Sequence, residues 1–150
     1  MGWAGEAESL NWFHIARDYT EKWHHQQQIR TAVGQPSPLM EPALFQPFIE
    51  TMMRGLPHAY RAVAAPLGTR VRVAINGNAG GPWELVRLAG GWYLQPPAAA
   101  VPAATLTLAP ADAWQLFTKG QSAAEARERA QVAGDEALAL AALRMVAVMG

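Results

Sequence analysis

Between Arg70 and Leu108 the chain reads as successive period-two segments, and no helical segment interrupts the run. "TRVRVAIN" sets Val71, Val73 and Ile75 against Arg70, Arg72 and Ala74, the pattern of a half-buried strand. "NGNAGG" is a turn, "PWELVRLAGGWYLQP" reads as two strands joined at Gly90 and Gly91, and "ATLTLAP" is a further strand with Leu106 and Leu108 on one face. Strands that follow one another without crossover helices pair mainly antiparallel, which favours α+β over α/β. The expected fold is therefore α+β: a long N-terminal helix, then an antiparallel-dominated sheet over residues 70–108 packed with helices.

The flanking segments have helical period. Residues 9–33 predict one continuous helix, capped by Ser9 and stopped by Gly34 and Pro36. At about 100° per residue, Trp12, Ile15, Tyr19, Trp23 and Val33 share one face, and His14, Asp18, Glu21, His25 and Ile29 share nearly the opposite one. A helix with two such faces sits between two partners. "QPSPLMEP" marks an element boundary. Residues 42–64 carry a stripe of Phe45, Phe48, Ile49, Met52, Leu56 and Val63, with a kink or break expected near "RGLP". Beyond the strands, Pro110 opens a helix that Gly120 closes, Ser122 and Glu125 form a capping box, "QVAGD" is a short strand or turn, and residues 135–149 form a last apolar helix. "QPPAAAVPAA" reads as a loop without chemistry.

Composition narrows the chemistry. The 150 residues carry 12 basic and 12 acidic side chains and no cysteine. A balanced charge argues against nucleic acid as a partner. Without cysteine a metal must sit on histidine and carboxylate, and any thiol must come from a small molecule. No apolar run reaches the roughly 18 residues of a membrane helix, and "MGWAGEAESLNW" lacks a basic, apolar leader pattern. A soluble cytoplasmic protein without membrane insertion is expected.

Glu21 and His25 are the strongest candidate pair. Four residues apart, they meet on one helix face, and carboxylate with imidazole suits zinc or another divalent metal. The same spacing more often makes a surface hydrogen bond, and one helix supplies at most half a site. Asp18 and His14 share that spacing and read as a local ion pair. Trp12, Tyr19 and Trp23 read as core, "GNAGG" as a turn, Ser9 and Ser122 as caps, and His58 as a packing or capping residue.

"RDYTEKWHHQQQIRTAVGQP" resembles the last helix of the DinB-like four-helix-bundle metalloenzymes, in particular the mycothiol-dependent maleylpyruvate isomerase branch. The resemblance places Glu21 and His25 at the metal pair of that helix. The family's third ligand, a histidine on an earlier bundle helix, has no counterpart here, so the implied site is incomplete and the isolated chain is expected to be inactive. In that branch the bundle precedes a domain similar to sterol carrier protein. "VRVAINGNAGGPWELVRLAGGWYL" fits its opening strands, and "AATLTLAPADAWQLFTKGQSAAEARERAQVAGDEALALAALRMV" fits its later elements, with Trp114, Gly120, Gly134 and Asp135 as landmarks. The implied organisation is residues 1–36 as the last bundle helix and residues 42–150 as a sterol-carrier-like domain.

Three functions follow as expectations. The first is a metal-dependent, small-thiol-dependent isomerase or transferase, with zinc on Glu21 and His25 and Arg30 pairing an acidic group of the thiol cofactor; the sequence assigns no catalytic residue. The second is a non-catalytic module for an acyl or sterol-like ligand, with Phe45, Phe48, Met52, Trp114 and Leu138 lining a tunnel or filling a core. The third is an accessory protein that forms a homodimer through the N-terminal helix.

Overall fold

The computed structural model describes residues 10–35 and 37–145. Helix α1 (Asn11–Ala32) leads through a 3-10 turn at Ser37–Met40 to α2 (Pro42–Met53) and the short α3 (Leu56–Ala59). Strands β1 (Arg70–Ile75), β2 (Pro82–Leu88), β3 (Gly91–Gln95) and β4 (Ala104–Leu108) follow, then α4 (Pro110–Phe117), α5 (Ala123–Arg129), β5 (Gln131–Gly134), α6 (Glu136–Leu140) and a 3-10 turn at Ala141–Arg144. Among the described residues the sheet has five strands in the order β3-β2-β1-β4-β5. The α+β class, the long first helix and the strand-dense middle are as the periodicity predicts.

The sheet is mixed. β1 pairs with β2 antiparallel but with β4 parallel, Val73 facing Leu106. The parallel pair arises because β2 and β3 form a hairpin arm on one side of β1, and the 96–103 segment returns the chain to its other side. β5, which the sequence left between strand and turn, pairs antiparallel with β4.

Alternation fixes the inner face. Val71, Val73, Ile75, Leu85, Trp92, Ala104, Leu106 and Leu108 are all buried and share one core with Phe45, Phe48, Ile49, Met52, Leu56, Trp114, Leu116 and Phe117. Tyr60 bridges this core, its hydroxyl donating to Leu138 O at 2.7 Å and its ring edge-on to Trp92 at 5.2 Å. The capping box forms as written: Ser122 N donates to Glu125 at 2.7 Å and Glu125 N returns to Ser122 Oγ at 3.2 Å. Asp135 caps α6 by accepting from Leu138 N at 3.0 Å.

The break expected near "RGLP" does occur: α2 stops at Met53 and the helix resumes after Gly55, because Pro57 at the start of α3 cannot continue the ladder of α2. Three expectations need correction. The helical span expected to reach residue 64 ends at Ala59. The last helix tightens to 3-10 geometry at Ala141, and residues 146–149 lie outside the described residues. The aromatic face of α1 is not its buried face. Trp12 is 50% and Ile15 72% exposed, and Val33 is exposed, whereas Phe13, Thr20, Trp23, His24 and Gln27 are buried. The helix is turned by about 100° from the expected setting, with Trp23 common to both faces. Trp23 sets that rotation, stacking on Phe48 at 4.0 Å and donating its indole N–H to Leu39 O at 3.1 Å. Ser9 lies outside the described residues. Gly34 at φ 74° does end the helix, with Gln35 N donating to Arg30 O at 2.7 Å.

The outer face holds a buried charge cluster. Glu84 is 0% exposed and stands directly opposite Arg72 in the β1–β2 register. Arg70 donates to one carboxylate oxygen at 2.5 Å and Arg72 to the other at 2.8 and 3.2 Å. Ala98 N adds a bond at 3.2 Å, and Arg72 donates to Ala98 O at 2.8 Å. The segment that read as a loop without chemistry is thus strapped over the sheet. Burial pushes the Glu84 carboxyl up, but the Arg72, Arg70 and Ala98 donors and the Arg72 charge outweigh it, so the net displacement is downward.

Two predictions follow from this framework. A group held below its ordinary value of 4.5 contributes stability above that pH and loses it as pH falls through the folded-state value. Glu84→Gln is therefore expected to cost about 2–4 kcal/mol at neutral pH and to flatten the acid limb of the stability curve, measured by urea unfolding from pH 7 to 3. Gly134 sits at φ 77°, and a Cβ there would lie 2.2 Å from Ala103 O. Gly134→Ala is expected to destabilise by about 2–4 kcal/mol in the same assay.

Candidate functional site

Helix α1 walls two depressions, one along its N-terminal half and one along its C-terminal half. The first is a groove of about 460 Å³ lined by Trp12 and Ala16 of α1, Pro47, Glu50 and Thr51 of α2 with its C-cap Arg54, Trp83 of β2 and Leu94 of β3. The spacing of Pro47, Glu50, Thr51 and Arg54 puts all four on one helix face. Trp83 and Leu94 stand diagonally on the inner face of the β2–β3 hairpin, one step beyond the Leu85–Leu94 pair. Two indoles, a leucine, a proline and an alanine give a mainly apolar lining. Arg54 packs its guanidinium over the Phe13 and Trp12 rings, 4.6 and 5.1 Å from their centroids. The groove therefore pairs an apolar bed with one cation and the Glu50 carboxylate.

The second depression, of about 350 Å³, lies between α1 and the end of α4 and is lined by His24, Gln28, Thr31, Ala32, Trp114, Gln115, Thr118 and Gly120. His24 is 6% exposed. Burial lowers its affinity for a proton, the neighbouring His25 lowers it further, and Glu21 only partly offsets this, so its imidazole is held neutral.

The predicted metal pair does meet. His25 Nε2 lies 3.6 Å from Glu21 Oε2, and His25 Nδ1 lies 3.2 Å from Gln28 Oε1. The two side chains are 66% and 44% exposed. A polar dent of about 220 Å³ beside them is lined by His14, Arg17, Asp18 and Glu21. Among the described residues no group of three or more histidine and carboxylate side chains is placed to hold a metal. Glu21 and His25 can thus supply two ligands, short of the three protein ligands a catalytic zinc site needs. Arg30, five residues beyond His25, lies about 140° further round α1.

Of the proposed tunnel residues, Phe45, Phe48 and Met52 are packed in the core and Leu138 is half-buried against it. Trp23 lies 5.7 Å from Phe45 and 6.0 Å from Trp114. Trp114 also lines the second depression. The groove uses other residues of the same α2, and sequence reasoning missed them: Pro47, Glu50, Thr51 and Arg54 lie on the less apolar side of the helix. Trp83 was legible only as a strand residue, and His24 lies about 100° round the helix from the Glu21/His25 face. No helix among the described residues is long and apolar enough to cross a membrane.

No family model matches the chain, and no curated protein matches it. Several solved structures are similar. One is the sterol carrier protein domain 2 of Helicoverpa armigera, at 19% identity and a TM-score of 0.46, covering 67% of this chain and 85% of that one. Another is a UbiJ-SCP2 ubiquinone synthesis protein, at 18% identity and a TM-score of 0.39, covering 81% of this chain and 91% of that one.

Proposed function

We propose that the chain is a binding module for an apolar ligand of acyl or sterol-like character, held in the groove between α1, α2 and the β2–β3 hairpin. The observation that carries this reading is the groove's lining. Trp12, Ala16, Pro47, Trp83 and Leu94 give a ligand a bed from which water is displaced, and the volume suits a small molecule. Phe45, Phe48 and Met52 back the groove from the core and hold α2 in place. No group in the groove is arranged as a nucleophile with its base, so binding rather than turnover is the function the lining supports.

The test is titration with a fluorescent fatty-acid probe. Ala16→Trp, which fills the groove at a half-buried position, is expected to weaken binding at least about tenfold, and Trp12→Ala about tenfold, since each alters contacts worth roughly 1.5–3 kcal/mol. Unchanged affinity in Ala16→Trp, with an intact circular dichroism spectrum, overturns the reading.

The contact between Glu21 and His25 supports a second reading, in which α1 contributes half of a metal site to a mycothiol- or other thiol-dependent isomerase or transferase. Arg30 then serves the acidic group of the thiol. Leu10, Ile15, Ile29 and Val33 are exposed on α1, and a homodimer through this helix would bring two Glu21/His25 pairs together. Two ligands do not complete a catalytic site. Zinc calorimetry is expected to show weak binding that is lost in the Glu21→Ala, His25→Ala double variant, and sedimentation a dimer. Equal zinc affinity in both proteins removes the pair from the site, and a stable monomer at tens of micromolar removes the dimer.

A further inference from the structure

The cleft between the C-terminal half of α1 and the end of α4 has a polarity unlike that of the groove. His24 is the only ionisable side chain among its lining residues; the rest are two carboxamides, two hydroxyls, an indole, an alanine and a glycine. Three of those residues are already engaged within the fold: Gln28 Oε1 lies 3.2 Å from His25 Nδ1. Thr118 Oγ1 donates to Trp114 O at 2.7 Å, and Gly120 N donates to Gln115 O at 2.6 Å.

His24 is the unusual member. It is more than nine-tenths buried, and its Nδ1 is enclosed with no hydrogen-bond partner. A lone pair left without a donor costs less than an N–H left without an acceptor at the same place, so the enclosed Nδ1 carries no proton and the ring N–H is at Nε2. Nε2 is not one of the enclosed, unpartnered atoms, and His24 lines the cleft, so its Nε2–H is the donor assigned to that space. Trp114, 6.3 Å from the His24 ring, supplies an aromatic wall. Gln28 is exposed and Gln115 half-buried on the rim.

We propose that this cleft is a second binding site, separate from the apolar groove, for a planar uncharged aromatic molecule bearing a carboxamide. The carbonyl accepts from His24 Nε2–H, the ring lies against Trp114, and the amide N–H groups donate to the Gln28 or Gln115 side-chain oxygens. A carboxylate fits less well, because no cation lines the cleft. The proposal does not depend on what the groove binds.

Benzamide is the probe, titrated into the isotope-labelled full chain and followed by NMR. The expected result is saturable movement of the His24 ring, Trp114 indole and Gly120 amide signals in the millimolar range, with the Trp12 and Trp83 indole signals unmoved. His24→Phe keeps the ring and removes the donor, and is expected to weaken binding about fivefold. Toluene, which lacks the carboxamide, is expected to bind at least about fivefold more weakly than benzamide to the unaltered protein. Ala32→Trp, at an exposed position on the last turn of α1, blocks the cleft without touching the core and is expected to abolish the shifts. If His24→Phe fails to fold, toluene and Ala32→Trp decide. Equal binding of toluene, unchanged benzamide binding in Ala32→Trp, movement of the Trp12 and Trp83 signals instead, or no saturation at tens of millimolar each overturns the proposal. Fatty-acid probe binding lost in Ala16→Trp but kept in Ala32→Trp separates the two sites.

Discussion

Both depressions exist because Trp23 pins α1 to the rest of the chain. The indole is buried between Phe48, Phe45 and Trp114, and its N–H is spent on the carbonyl of Leu39. Tyr19, one turn earlier, donates to Leu44 O at 2.7 Å and makes a second fastening to α2. Apart from Phe13, little else on α1 is apolar and buried: Thr20, His24 and Gln27 make up much of its inner face. An aromatic anchor of this kind tolerates a polar helix, because one large side chain carries most of the burial. On either side of it, α1 stands off far enough to leave a groove toward α2 and the hairpin and a cleft toward α4.

The period-two segments were legible because the sheet has one buried face and one polar face, so alternation survives in the sequence. The cap at Ser122 was legible for a similar reason: it is a short-range hydrogen bond between residues three apart. The rotation of α1 was not. Its apolar residues lie on more than one side, and the choice between sides is made by Phe48 and Leu39, which come later in the chain. The parallel pairing of β1 with β4 was hidden likewise, since local patterns say which residues alternate but not which neighbour a strand returns to.

The candidate site divides along the same line. The meeting of Glu21 and His25 needed only helical spacing, and the two do approach. The groove lining comes from four elements between residues 12 and 94, and no local pattern links Trp12 to Trp83. Phe45, Phe48 and Met52 stood out because they are the most apolar residues of α2, which is also why they went to the core. Residues that line a concavity facing water are of middling polarity, such as Pro47 and Thr51, and carry little periodic signal.

The Glu84 cluster makes the strap over the outer face indifferent to most of its own sequence. Glu84 and Arg72 grip Ala98 through its peptide N–H and carbonyl, not through its methyl group. Side chains along 96–103 are thereby free to drift, provided residues 98 and 103 keep an N–H, the latter donating to Arg70 O at 2.9 Å, which excludes proline at both although Pro96, Pro97 and Pro102 are tolerated nearby. A low-complexity run of alanine and proline is what such a rule leaves behind. The information that fixes the segment resides in the strands beneath it.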